Sequence, residues 1–468
     1  MPAEFAREVL GRLPLAEAVL TVWRWVGDPL FLLFLFVRHR GAGYETVSSF
    51  GVLGQLIADA LLEHRGSGRK SFQRGREQGL GTATPQAIYQ KLGRVPLRLS
   101  EAWLAESTER LRPLYPAPAE MVLPPSVQGV QVVVVDGKAS KRVAKRLKPV
   151  PGRKGGIWGG KALVALALRS GLAVAMATDP AGETNDAKLV PPLLPQVRPR
   201  VAGPRLWVAD RQFCDLTPTA AFATGEDHFG VRYHPKTHFG LDPTRPAQQG
   251  HDAQGRVGVE DWGGLGCERA KPRRFVRRIT LYRPGEETVI LITELLEAAQ
   301  YPAPELLALY RARWGIERVF QQITEVVHLQ ALIGTTPQGT VFQCAFCLLL
   351  YNLWQVVRAY VATAQARPPD TISTELLFAD VQRQLVALPE LVPPPAVEPL
   401  FEPLSSPDRV EQHLTRLLAT VWTPRWLKAP AKKPKAPATR KAVKGNQTSV
   451  YRLLAEYQQQ RQPVIPST

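Results

Sequence analysis

The run Val130-Gln-Val-Val-Val-Val-Asp136 limits the possible folds of this chain more than any other stretch. An unbroken row of β-branched residues between turn signals spells a strand covered on both faces, so it requires a sheet with helices on either side. The run ends on an acid. A carboxylate there cannot stay buried and unpaired without cost, and it needs a cation or a hydrogen-bond network beside it. Arg205-Leu-Trp-Val-Ala-Asp210 repeats the pattern, a short apolar strand ending on Asp. Two more strands are expected at Leu163–Arg169 and Leu172–Thr178, joined by a tight turn at Ser170-Gly171. Thr184 to Val190 suits a short helix, capped by Thr184, with Asp186 in its first turn and Pro191 as its stop.

Further on, Tyr310-Arg-Ala-Arg-Trp-Gly-Ile-Glu-Arg-Val-Phe-Gln-Gln-Ile-Thr324 lies in a helical pattern that begins near Glu305. Tyr310, Arg313, Glu317, Gln321 and Thr324 recur at three- and four-residue intervals and share one face, with Trp314 beside them. Alone, this stripe reads as a solvated face with an Arg–Glu pair at four-residue spacing. Between Asp210 and this helix, residues 227–294 change texture, with strand-like runs at His228–Tyr233, Phe275–Tyr282 and Thr288–Thr293. The segment reads as a β-rich insertion. Its basic run Arg269–Arg278 suits a phosphate backbone, and Trp262, beside Gly263-Gly264, is placed on a loop.

Charge narrows the partners. Against 41 acidic residues stand 59 Lys and Arg, a net +18 over 468 residues. A protein this basic usually meets a polyanion, most often nucleic acid. Between Lys138 and Lys161 nine cations and no acid follow the first strand. Arg425 to Gly445 holds eight basic residues and no acid, broken by Pro and Ala, a composition expected to be disordered when free. The Gly- and Arg-rich segment Arg65–Arg76 lies between helical patterns at 51–64 and 85–92 and reads as a basic loop; helix, loop, helix fits a DNA-binding module and fits a plain helical bundle equally. Pro113–Pro125 reads as a linker, and Phe342–Tyr360 as a core helix that buries Cys344 and Cys347. Four cysteines are too few for a disulfide scaffold, and the lone CxxC lacks a partner pair for zinc. The early apolar run Pro29–Val37 is too short to span a membrane, so a bacterial cytoplasmic, nucleoid-associated address is expected.

Three carboxylates on two strand ends and a helix are what a two-metal phosphoryl-transfer site needs, because hard Mg2+ ions take oxygen ligands. Strand-Asp136, strand-Asp210, a β-rich insertion, then Tyr310, Arg313 and Glu317 resemble a DDE transposase of the insertion-sequence-four kind, whose signature is Tyr-x2-Arg-x3-Glu-x6-Lys. The first three letters fit; the fourth position holds Thr324 in place of Lys. The resemblance implies an α/β, RNase H-like mixed sheet flanked by helices, with helical N- and C-terminal regions. It implies that Asp136, Asp210 and Glu317 bind two Mg2+ ions, with Mn2+ as a substitute, and that Tyr310, Arg313, Trp314, Lys138, Arg211, Arg318 and Thr324 line the DNA. Trp314 matches an aromatic that stacks on a displaced base, and Arg318 or the loop after Asp136 is the candidate to replace the missing Lys. The expected division is a helical DNA-binding region (1–120), a catalytic domain (126–365) interrupted by the insertion (227–294), a helical region (366–424) and a basic tail (425–468). The expected activity is hydrolysis at the 3′ ends of terminal inverted repeats and transfer of the 3′-OH to target DNA, by a homodimer on paired double-stranded ends with no membrane involved. A metal-dependent nuclease and a catalytically silent DNA-binding protein are the alternatives.

Overall fold

The computed structural model describes residues 3–43, 45, 48–64, 66–140, 157–251, 256–266, 273–282, 288–331, 333–401, 406–429 and 448–460. Seven helices come first: α1 (Ala3–Gly11), α2 (Pro14–Val26), α3 (Pro29–His39), α4 (Phe50–Leu62), α5 (Gly68–Glu77), α6 (Pro85–Leu92) and α7 (Leu97–Leu111). Strands β1 (Gln131–Ala139), β2 (Ile157–Trp158), β3 (Lys161–Ala167) and β4 (Leu172–Asp179) follow, then α8 (Val190–Val197), β5 (Arg205–Ala209), α9 (Leu216–Phe222) and β6 (His228–Arg232). Next come β7 (Phe239–Leu241), β8 (Gln248–His251), β9 (Val257–Leu265), β10 (Arg274–Leu281) and β11 (Val289–Thr293). The chain then runs through α10 (Ala303–Ala312), α11 (Trp314–Glu325), α12 (Pro337–Ala364), α13 (Thr374–Leu391), α14 (Pro394–Val397), α15 (Pro407–Leu418), β12 (Thr448–Ser449) and α16 (Val450–Gln459).

The main sheet runs β4-β3-β1-β5-β6-β11-β10-β9-β7, with β8 paired to β9. β1 is parallel to β5, and β5 to β6, while β3 is antiparallel to β1 and β4. This is an RNase H-like mixed sheet flanked by helices. The strands of the 227–294 segment extend the same sheet through the β6–β11 pairing.

Alternation along the buried strands splits the core. Val132 and Val134 of β1, with Leu206 and Val208 of β5, face the layer of α7 and α10–α12. Val133 and Val135, with Trp207 and Ala209, face α8 and α9. Side chains alternate with period two, so Asp136 and Asp210 continue the first set and emerge on the α10–α12 face. Because Val135 pairs with Ala209, they stand side by side where the parallel pairing of β1 with β5 stops.

The central window of α12 is apolar enough to cross a bilayer, yet it is wholly buried within the protein. Its Phe342 and Phe346 pack on Trp103 of α7 at ring separations of 5.2 and 5.1 Å, which ties the N-terminal helices to the sheet. Cys344 and Cys347 are buried there, and Cys214, Cys344 and Cys347 are free thiols. One polar side chain on α12 grips the sheet edge. Asn352 Nδ2 donates to Thr108 Oγ1 and Ala173 O, both at 2.8 Å, and its Oδ1 accepts from Ala173 N at 2.9 Å.

Several local expectations are revised. The Arg65–Arg76 segment is not a loop: α5 spans most of it, with Phe72 buried and Ser71 Oγ bonded to Leu56 O at 2.6 Å. Gly68 and Gly75 are there because a Cβ on either would collide with Ile333 or Leu56. Pro14 starts a new helix, α2, just after α1. Pro191 does not stop a helix but opens one: a 3-10 turn over Asp186–Leu189, capped by Asn185, leads into α8 with proline in its first turn, where no N–H is missed. Pro113–Pro125 is docked, with Leu114, Ala119 and Leu123 buried. Arg425 and Trp426 of the expected tail bind Asp380, at 3.1 Å from Arg425 Nε and 2.7 Å from Trp426 Nε1. Residues 430–447 lie outside the described residues, while Thr448–Ser449 pair in parallel with β2.

Replacing Asn352 by Leu leaves both Ala173 backbone groups and the Thr108 hydroxyl without these partners. The expected loss is about 2–4 kcal/mol of stability, read as a lower midpoint in urea unfolding.

Candidate active site

Asp136 lies within β1, one residue past the stretch paired with β5, and the strand runs on to Ala139 rather than ending on the acid as expected; its Oδ1 accepts from the next backbone N–H, Gly137 N, at 2.8 Å. Asp210 directly follows β5 and likewise accepts from Arg211 N at 2.7 Å. The expected continuous helix is broken at Arg313: α10 stops at Ala312 and α11 starts at Trp314. The break places Arg313 over the two strand ends. Its guanidinium lies 2.9 Å from Glu317 Oε1 and 3.8 Å from Asp136 Oδ2. Burial works against its charge, yet Tyr310, Asp210, Asp136 and the bond to Glu317 hold its pKa above the ordinary arginine value. The structure thus gathers the three expected acids around one arginine that is only 3% exposed. Among the described residues no group of three or more acidic, His or Cys side chains closes to a metal-holding geometry. Here the guanidinium stands between the acids.

Tyr310 is buried beneath Arg313, whose Cζ is 5.5 Å from the phenol ring and 5.7 Å from the Trp314 indole. Burial pushes the Tyr310 hydroxyl pKa up, opposed by Arg313. Trp314 is 54% exposed, an open indole face at the rim. Lys138, two residues beyond Asp136 on the same face of β1, sends its Nζ to Thr324 Oγ1 at 2.9 Å and Phe320 O at 3.3 Å. An ammonium from the strand therefore stands beside the position where the signature places a lysine on the helix. Arg211 and Arg318 are exposed. Burial first, then the charges of Arg358 and, after the opposing Asp370, Arg318, depress the Lys428 amine.

Other expectations are corrected. Trp262 is not on a loop: it lies in β9, fully buried, with Nε1 donating to Leu296 O at 3.0 Å and Arg245 over its ring, so it cannot stack on a base. Of the basic run, Arg269 and Lys271 lie outside the described residues. Arg274 pairs with Glu294 at 2.9 Å, Arg278 with Asp261, and the fully buried Arg277 with Glu260, so these cations serve the sheet. In the loop after β1, Lys141, Arg142, Lys145, Arg146, Lys148, Arg153 and Lys154 likewise lie outside the described residues.

One acid near the site is not legible in the sequence as more than a helix-start residue. Asp186 is buried against Gly137, where any Cβ would fall inside its carboxylate, and it pairs with Lys161 Nζ at 2.5 Å. It lies under β1, on the face opposite Asp136. Burial, together with the charges of Glu317 and Asp186, pushes the Asp136 pKa up to about 6, despite the Gly137 N–H and Arg313.

Carboxylates at these strand ends of an RNase H-like sheet are the kind of set that phosphodiester chemistry uses. Residues 128–353 match the family described as the transposase DDE domain. A relative in Sinorhizobium fredii (strain NBRC 101917 / NGR234), y4zB, is named as a candidate transposase. It is 23% identical over 153 residues, 32% of this chain and 42% of the relative. The match thus spans less than half of that relative's length. A cryo-EM structure of the piggyBac transposase synaptic complex with hairpin DNA aligns over 86% of this chain and 85% of that one, with 11% identity and a TM-score of 0.35. A likeness that distant carries no further argument. The family match and the relative are both likenesses to DDE transposases.

The raised Asp136 value has a definite sign. The folded chain holds this proton more tightly than the unfolded chain. The cost of the charge is therefore absent below the ordinary value of 3.8 and fully present above about 6. Without metal, Asp136→Asn should be more stable than the parent by roughly 1–3 kcal/mol at pH 8 and about equal to it near pH 4. Denaturant unfolding in EDTA at the two pH values measures the difference.

Proposed function

We propose that this chain is a DNA transposase of the insertion-sequence-four kind, which cleaves the 3′ ends of its element and joins them to target DNA. The observation that carries this reading is the meeting of Asp136, Asp210 and Glu317 around Arg313, within the segment that matches the transposase DDE domain.

The donor set fits divalent metal by its chemistry: three carboxylates and no sulfur or imidazole, the ligands hard cations take. Glu317, with its side chain 41% exposed, is free to turn from Arg313 toward a bound ion. When bound, two Mg2+ ions supply Lewis acidity at the attacking and leaving oxygens. The protein's own part is placement. Asp136 and Asp210 are fixed by the ends of paired strands and by hydrogen bonds to the next backbone N–H. Arg313, Lys138 and Arg211 offer cations to the phosphates flanking the scissile bond, and Arg313 offers the fork that suits a phosphate. Trp314 presents an indole face to an unstacked base. Two copies holding two ends would supply both strand transfers.

The test uses DNA carrying the terminal repeats of the element that encodes the chain, with Mg2+ or Mn2+. The parent is expected to nick at the 3′ ends and give joined products. Asp136→Ala and Glu317→Ala should each lower cleavage by about 100-fold or more. Nicks without joined products would indicate a nuclease, and binding without cleavage a silent DNA-binding protein.

Lys138 gives a second test, on affinity rather than chemistry. Lys138→Ala should reduce the slope of log affinity against log salt by about 0.9, the loss of one phosphate contact. Adding Thr324→Lys to that variant should restore the slope, as read by fluorescence anisotropy over a salt series.

A further inference from the structure

We infer that Arg313 is the internal counter-ion of the unloaded site, and that its transfer from Glu317 and Asp136 to a DNA phosphate makes metal binding and DNA binding depend on one another. This inference rests on the metal-binding reading above and goes beyond it.

Arg313 is almost wholly buried, and a buried cation persists only where partners surround it. Its partners are the acids expected to hold metal: Glu317 at 2.9 Å, Asp136 at 3.8 Å, and Asp210, whose charge also favours the guanidinium. The arginine and the ions therefore compete for the same oxygens. If divalent ions took the carboxylates while Arg313 stayed in place, a buried guanidinium would face concentrated positive charge with no anion to pair with. An incoming phosphate removes that conflict. The guanidinium has donors to spare, since its Nε has no hydrogen-bond partner among the described residues. The exposed Trp314 beside it marks the side from which nucleic acid can reach it. Once Arg313 turns to a phosphate, the three carboxylates carry no internal cation and attract metal. By linkage, metal must in turn strengthen the hold on DNA by the same factor.

The experiment measures Mn2+ binding directly, by electron paramagnetic resonance of the free ion, with and without a short duplex from the element's end. In the parent, the duplex should tighten Mn2+ by about 5- to 100-fold. In Arg313→Gln, Mn2+ should bind more tightly than in the parent without DNA, and the duplex should add less than in the parent. Equal or weaker Mn2+ binding by Arg313→Gln without DNA, or an undiminished effect of the duplex, overturns the inference. Should the glutamine variant fail to fold, Arg313→Lys decides. It keeps one positive charge but loses the fork that bridges Glu317 and Asp136, so tighter DNA-free Mn2+ binding supports the inference and unchanged binding overturns it. Asp136→Asn separates the two levels. If it binds Mn2+ as well as the parent, the metal reading itself fails; if it does not and Arg313→Gln shows no effect, only the coupling fails.

Discussion

A guanidinium buried among three carboxylates is the interaction on which the rest of this site depends. Removing its partners would leave a buried charge unpaired, an error on the order of 3–5 kcal/mol. Removing the arginine would leave acids crowded at two strand ends with nothing between them. Neither half is stable alone, so the fold has to deliver both to one place. The parallel pairing of β1 with β5 delivers the two aspartates, and the break between α10 and α11 delivers the arginine and Glu317. The break costs the continuity of one helix. Arg313 keeps helical backbone angles at this junction, and the residue expected on a solvated face lies in the interior.

Support from beneath matters as much. Asp136 is followed by a residue with no side chain, and the space this leaves is filled by the Asp186 carboxylate, itself neutralised by Lys161. Charge therefore sits on both faces of the end of β1, with Arg313 above and the Lys161–Asp186 pair below. Asp136 is held by this arrangement in an environment that resists its ionisation.

The strands and long helices were legible because their signals are local. Burial on both faces of 130–135 writes itself into consecutive valines, and the apolar stretch of α12 needs no partner to be recognised. The order of acids, two strand ends and then a helix, was legible for the same reason. What misled were residues whose role is set by a neighbour distant in sequence. Gly263-Gly264 looked like a loop around Trp262, yet these glycines sit in β9 because the backbone of Gly240 and the side chain of Arg273 occupy the space where their Cβ atoms would go. Gly68 and Gly75 looked flexible for the same false reason. Arg274, Arg277 and Arg278 looked like a DNA-facing stripe because their acids lie elsewhere in the chain, Glu260 and Asp261 on β9 and Glu294 just past β11. Asp186 carried no local mark at all, since an acid at the start of a helical turn is ordinary.

Thr324 shows how a departure from a motif can be read in space. In sequence it is a lost cation, one helix position with a hydroxyl where the signature has an amine. In the structure that hydroxyl and the Phe320 carbonyl receive the ammonium of Lys138, which rises from β1. The positive charge stands beside the same helix turn but is anchored two residues from Asp136 instead of seven beyond Glu317. A charge tied to the strand moves with Asp136 and one tied to the helix moves with Glu317. With both Lys138 and Asp136 on β1, a phosphate gripped there is referenced to the strand ends. On the proposed reading, only Arg313 and Glu317 would need to shift when metal and DNA bind.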